Sequence, residues 1–172
     1  MYHRDMPRPQ QTRGLTEEFG YGRGYDEIVK GITPAAGAQF SYKIQGQYST
    51  RLLSIIFTIV TDANVANRAV TVDFADPEDS VWASNGYGAV ITASTTQKHS
   101  GQIDRTVGEW ASGTTIFFPI SDLFIDPGNK IRINVANIQA TDALSAIVMV
   151  LERFPTGNRG YPEGAVTPRA RR

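Results

Sequence analysis

Thr50-Arg51-Leu52-Leu53-Ser54-Ile55-Ile56-Phe57-Thr58-Ile59-Val60 decides the fold class. β-branched and aromatic side chains dominate the run, and these suit the pleated, half-buried surface of a strand. Its middle is apolar at odd and even positions alike, which predicts a central strand covered on both sides. Ser54 and Thr58 interrupt it, and it falls well short of the ~20 apolar residues that cross a bilayer.

Working outward, Val70, Val72 and Phe74 alternate with Ala69, Thr71 and Asp73, and Ile131, Ile133 and Val135 alternate with Arg132, Asn134 and Ala136. A period of two places one set on a buried face and the other on a wet one. Strands are predicted near 38–45, 50–60, 67–75, 87–96, 101–110, 114–118, 130–138 and 144–153. Asp126-Pro127-Gly128-Asn129 combines a fixed proline φ with a residue tolerant of positive φ, so a hairpin-like reversal is expected there. Ser121 to Ile125 has room for one helical turn capped by Ser121. No helical pattern of 10–15 residues separates the strands, which argues against a parallel βαβ sheet. The expected fold is all-β: an antiparallel β-sandwich, a jelly roll of about eight strands, with extended arms at both ends.

The sandwich is expected over 33–153. Residues 1–32 are rich in Arg, Gln, Gly and Pro without a sustained apolar period and read as an N-terminal arm. Residues 154–172 repeat that character, with Pro155, Gly157, Gly160, Pro162, Gly164 and Pro168, and read as a C-terminal arm. A 30-residue arm, extended, reaches on the order of 100 Å. The aromatics and arginines of these arms, Tyr2, Phe19, Tyr21, Arg23, Tyr25, Tyr161, Arg169, Arg171 and Arg172, are the expected partner-binding residues, because tyrosine offers apolar area and a hydroxyl at modest entropic cost.

The chain of 172 residues carries 17 Lys plus Arg against 17 Asp plus Glu and no cysteine. Balanced charge gives no overall field toward nucleic acid or anionic lipid, and the lack of cysteine excludes disulfides, thiolate metal sites and thiol nucleophiles. The N-terminus lacks the apolar segment of a signal peptide, so a soluble protein made in the cytoplasm is expected. Of the 2 histidines, His3 lies in the arm and His99 in a polar stretch read as an exposed loop. Adjacent Ser100 does not make a triad.

Asp73, Asp76, Glu78 and Asp79 form the densest acidic cluster but lack the ordered ligand pattern of a calcium loop, and a solvated turn explains them. Asp62 to Asn67 reads as turn chemistry for the same reason. Gly20-Tyr21-Gly22-Arg23-Gly24 has neither the strand nor the helix of a phosphate loop, and Glu17, Glu18, Asp26 and Glu27 around it repel phosphate. Glu109 beside Trp110 is the one acid next to a tryptophan, and cross-strand packing explains that tryptophan. No catalytic residue, metal or cofactor is expected.

Leu52 to Val72, followed by Asp126 to Arg132 and by Asp142-Ala143-Leu144-Ser145-Ala146-Ile147-Val148-Met149-Val150-Leu151-Glu152, resembles small β-sandwich virion proteins of tailed bacteriophages over roughly residues 35–153. The resemblance implies a capsid decoration or cement subunit, frequently trimeric, that binds the major capsid protein and neighbouring copies of itself in the virion. It equally admits a neck or tail component. A carbohydrate- or receptor-binding sandwich using Trp82, Tyr87 and Trp110 is the alternative of a different class.

Overall fold

The structure, a computed structural model, describes residues 24–103, 111–112 and 115–155, all inside the unit Gly24–Thr156. The strands are β1 (Tyr25–Ile32), β2 (Phe40–Lys43), β3 (Tyr48–Val60), β4 (Arg68–Ala75), β5 (Val81–Ile91), β6 (Thr96–Gln102), β7 (Ala111–Ser112), β8 (Thr115–Pro119), β9 (Phe124–Ile125), β10 (Lys130–Val135) and β11 (Ala143–Pro155). One sheet runs β1-β11-β3-β6-β8-β7 with β9 added to β3, and the other runs β2-β10-β4-β5. β1 to β6 with β10 and β11 therefore place β1-β11-β3-β6 in one sheet and β2-β10-β4-β5 in the other, which is the jelly-roll arrangement. The two inner faces enclose one core, to which Phe40, Phe57, Phe74, Phe118, Ile131 and Leu144 all belong.

The deciding stretch is the spine of the larger sheet, held between β11 and β6. Its apolarity on both parities has a different cause from the one expected. Ser54 pairs Val150 while Leu52 pairs Leu151, so Leu53 is an extra residue. Such a bulge reverses which parity faces inward. Leu52 is buried before it, and Ile55, Phe57 and Ile59 are buried after it. Leu53 and Ile56 face outward and are half-buried. β11 carries a matching irregularity between Ser145 and Val148, where Ala146 takes a φ of 51°. Leu144 is buried before it and Ile147, Met149 and Leu151 after it.

Residues 25–32, expected as the inner end of the N-terminal arm, form a strand instead. Tyr25 to Ile32 is the first jelly-roll strand, antiparallel to β11. Its apolar content is too low to announce a strand, but Val29 packs on the core and the Arg153 guanidinium binds the Glu27 carboxylate. Residues 1–23 and 156–172 lie outside the described residues.

Other boundaries differ as well. The strand expected at 87–96 is Val81–Ile91, and the one expected at 101–110 begins at Thr96. Between them Ser94 takes a φ of 52° and Thr61 holds the turn through the carbonyls of Thr92 and Thr95. No helical turn forms at 121–125: Phe124 and Ile125 pair with Arg51 and Thr50, and Ser121 donates to Asn85 instead of capping. β8 runs parallel to β6, the one parallel pairing among the described strands.

The turn at Asp126–Asn129 forms as expected, with Gly128 at φ 90° and Asn129 N–H donating to the Asp126 carbonyl. It passes the chain from one sheet to the other, because β9 belongs to the larger sheet and β10 to the smaller.

At the opposite end, four connections cross between the sheets, and Arg68 stands among them fully buried. Its Nε and Nη2 donate to both Asp142 oxygens at 3.0 Å, Nη2 also to Asp62 Oδ1, and Nη1 to the carbonyls of Asn64 and Ala66. Burial alone would raise the Asp142 carboxyl, but Arg68 and the amides of Gln139 and Asp62 outweigh it and hold the group below its ordinary range. The carboxylate thus contributes stability above the ordinary Asp range and loses it only as pH falls through and below that range.

Removing one partner of a buried ion pair strands the other charge. Asp142→Asn is therefore expected to lower the unfolding midpoint in urea by more than Ile133→Val, itself costing about 1 kcal/mol. Equal midpoints for the two variants would refute this role for Asp142.

Candidate functional site

Outward-facing side chains of the larger sheet fall into rows set by register. Asp26, Glu152 and Arg51 lie side by side across β1, β11 and β3. Arg51 donates twice to Asp122, at 2.7 and 2.6 Å, and once to Glu152 at 3.0 Å. Its guanidinium carbon stands 5.7 Å from the centre of the Phe124 ring. Burial works against the Arg51 charge, but the two carboxylates raise its pKa above the ordinary value. Phe124 is exposed and meets Phe154 edge to face at 5.2 Å. The next rows hold Ile28 with Val150 and Ser54, then Lys30 with Val148 and Ile56.

Tyr25 is the one arm residue expected to bind partners that lies among the described residues. It is 51% exposed, opposite Arg153 in the ladder, and meets Tyr48 edge to face at 5.6 Å. Arg153 is buried and ties this corner together, with Nε on Glu27, Nη2 on the Tyr42 hydroxyl at 3.0 Å and Nη1 on Thr50. Tyr2, Phe19, Tyr21, Arg23, Tyr161, Arg169, Arg171 and Arg172 lie outside the described residues, as do His3, Glu109 and Trp110.

The acidic cluster disperses into local structure. Asp73 is buried against the Ser84 hydroxyl, Asp76 accepts the Ser80 amide, and Asp79 pairs with Lys130 at 2.8 Å. Hydrogen bonding to Lys130 lowers the Asp79 pKa. Asp62 is likewise held low, by Thr141 first, with Asn64 and Arg68 adding to it. Among the described residues no three His, Asp or Glu side chains converge as metal ligands. Trp82 stacks on buried Phe74 at 5.6 Å and is 43% exposed. The side chains of Tyr87 and Trp110, the other two aromatics of the carbohydrate- or receptor-binding alternative, lie outside the described residues.

His99 is not an exposed loop residue. It lies in β6, 4% exposed, stacked on Phe57 with ring centres 4.9 Å apart and planes 3° from parallel. The polar residues around it conceal a strand whose inner face is completed by Phe57 and Phe118, distant in sequence. Its Nε2 is buried without a hydrogen-bond partner among the described residues, and His99 lines a cavity of about 10 Å³ with Val70, Val72, Asn85 and Phe118. Burial pushes the imidazole down to about 4.

No protein-family model matches the chain, and no curated protein matches it. Among solved structures it is similar to dimeric latent PorU from Porphyromonas gingivalis, at 12% identity and a TM-score of 0.40, over 79% of this chain and 14% of that one. It is also similar to infectious bursal disease virus Gx strain, at 13% identity and a TM-score of 0.35, over 81% of this chain and 34% of that one. The VP2 subviral particle of the same virus gives 15% identity and a TM-score of 0.33, over 79% of this chain and 34% of that one. The chain thus spans about a seventh to a third of the length of these proteins. Likenesses this low carry nothing about function.

Free histidine titrates near 6.5 and His99 in the fold near 4, so the native state binds fewer protons between those values and stability falls as pH drops through that window. The full loss is roughly 3 kcal/mol. His99→Phe keeps the stack and has no proton to take up, so urea midpoints measured from pH 7 to 4 are expected to decline less steeply in the variant. Parallel declines would remove His99 as the cause.

Proposed function

We propose that the protein is a non-enzymatic virion subunit that decorates the outer surface of a phage head, binding the major capsid protein and neighbouring copies of itself around a symmetry axis. One observation supports this best. β1 and β11 are neighbours, with Tyr25 opposite Arg153, so the segments that precede and follow the sandwich leave it at one corner. Gly24 sits so close to β11 that a Cβ there would stand 2.7 Å from the Arg153 carbonyl oxygen.

Buried Arg153 fixes that corner to β1, β2 and β3 at once. Two tethers anchored at one rigid point can bind one neighbouring surface together, and the second then binds at high effective concentration. Arg51, Arg68, Asp142 and Arg153 are each committed to partners within the fold, which fits a rigid plug better than a reaction centre. The resemblance to small β-sandwich virion proteins of tailed bacteriophages motivates the proposed location, and the shared corner supports the proposed manner of attachment.

Adding the full chain to phage heads that lack it is expected to give saturable binding and to raise the temperature at which the heads lose their DNA. Deleting residues 1–23 or 157–172 should leave the circular dichroism and melting of the sandwich unchanged while weakening head binding about tenfold or more. Full chain that fails to bind such heads, or deletions that bind as the full chain does, would overturn the reading.

A further inference from the structure

β1 is the outermost strand of the larger sheet: it pairs with β11 from Tyr25↔Arg153 to Ile32↔Ile147, and no described strand pairs with its other side. An edge strand presents a row of unpaired N–H and C=O groups on which another strand can template. The other edges are less specific. β7 and β2 are short, and β5, from Val81 to Ile91, carries no charged residue that would fix a register.

β1 does carry such residues. Glu27 and Val29 are turned inward, to Arg153 and the core, while Asp26, Ile28 and Lys30 are exposed on the outer face. Ile28 is 64% exposed, an apolar side chain in the middle of an open edge. Asp26 stands opposite Glu152, a like charge whose carboxylate is already bound to Arg51. Lys30 stands opposite Val148. Neither Asp26 nor Lys30 has an ion-pair partner among the described residues.

Two copies of β1 laid antiparallel about Ile28 place Asp26 of each copy opposite Lys30 of the other, with Ile28 opposite Ile28 between the two pairs. A slip of one residue sets Asp26 against Val29 or Gly31 and turns the matched side chains to opposite faces. The charges thus select one register. The bulge at Gly31, at φ 80°, ends the regular ladder just beyond Lys30.

We propose that β1 is a self-recognition edge through which two copies of this chain join antiparallel across a two-fold axis at Ile28, making one sheet continuous across both. The contact is isologous, so it joins one copy to one other and cannot by itself close a three-fold ring. A ladder of this length buries less than the ~1,000 Å² of a stable interface. Association in solution is therefore weak and gains strength only where copies are held side by side. The proposal stands without the head-binding reading and is tested with no capsid present.

Sedimentation equilibrium of the full chain is expected to show a monomer–dimer equilibrium with Kd between about 10 μM and 1 mM. Asp26→Lys and Lys30→Glu each place like charges opposite one another twice, and each should weaken self-association about tenfold or more. Mixing these two variants in equal amounts restores both oppositions, so the mixture should form heterodimers at the strength of the unmodified chain. The double variant D26K/K30D should again self-associate. A full chain that stays monomeric at millimolar concentration, as it would if its own residues 1–23 covered the edge, overturns the proposal. So do single variants that dimerise like the unmodified chain, or a mixture without recovery.

Discussion

The buried ion pair between Arg68 and Asp142 sits where every connection at one end of the jelly roll meets. The β3–β4 connection contributes Asp62, Asn64 and Ala66, and the β10–β11 connection contributes Asp142 itself. The β1–β2 connection joins through Gly37, whose N–H donates to the Asp142 carbonyl, and the β5–β6 connection through Ser94, whose N–H donates to the Asp62 carbonyl. A buried guanidinium is costly unless each donor finds an acceptor. Here all five N–H groups of Arg68 do. A shift of β4 by one residue would take Arg68 out of this ring and leave the carboxylates without it. The pair therefore ties the register of β4 to the connections at that end.

The other end is held by lighter ties. Gly128 N–H donates to the Ile44 carbonyl and Ile44 N–H to the Asn129 carbonyl, which stitches the β9–β10 turn to the segment after β2. Ser49 donates to Asp126, and Lys130 reaches Pro77 and Asp79. Between the two ends, the bulges in β3 and β11 let long strands keep apolar side chains on the core as they twist. His99 is the exception in that interior, a titratable ring used as an aromatic slab against Phe57. Its burial in the core lowers its pKa, so protonating it in mild acid works against the middle of the sandwich.

Local signals carried the fold class a long way. The alternation in Ala69–Phe74 and Ile131–Ala136 marked β4 and β10 correctly, and the Asp126–Asn129 turn was readable from proline and glycine alone. What escaped depends on residues far apart in the chain. β1 shows too few apolar residues for periodicity to find it, since its inward positions are Glu27 and Val29, and Glu27 belongs inside only because Arg153 meets it. His99 looked like a loop residue because its neighbours are polar, while the partner that buries it is 42 positions earlier, at Phe57. Asp62 and Asn64 read as a turn and do form one, but the turn's guest, Arg68, and the distant Asp142 are what make it a centre.

Closure of the fold leaves its edges and outer faces as the places where sequence is free to specify something else. A soluble sandwich ordinarily blunts an open edge with charge, a bulge or proline. β1 has the charge and the bulge, yet places a bare isoleucine between an acid and a base of opposite sign on the same face. Lysine alone would serve as a guard against pairing of any kind. Aspartate four residues away turns that guard into a selector, because the strand that satisfies both charges and covers the isoleucine is its own antiparallel copy. The corner from which the flanking segments leave is the start of this same strand, so anchoring through those segments and pairing through the edge would reinforce each other wherever copies are packed at high density.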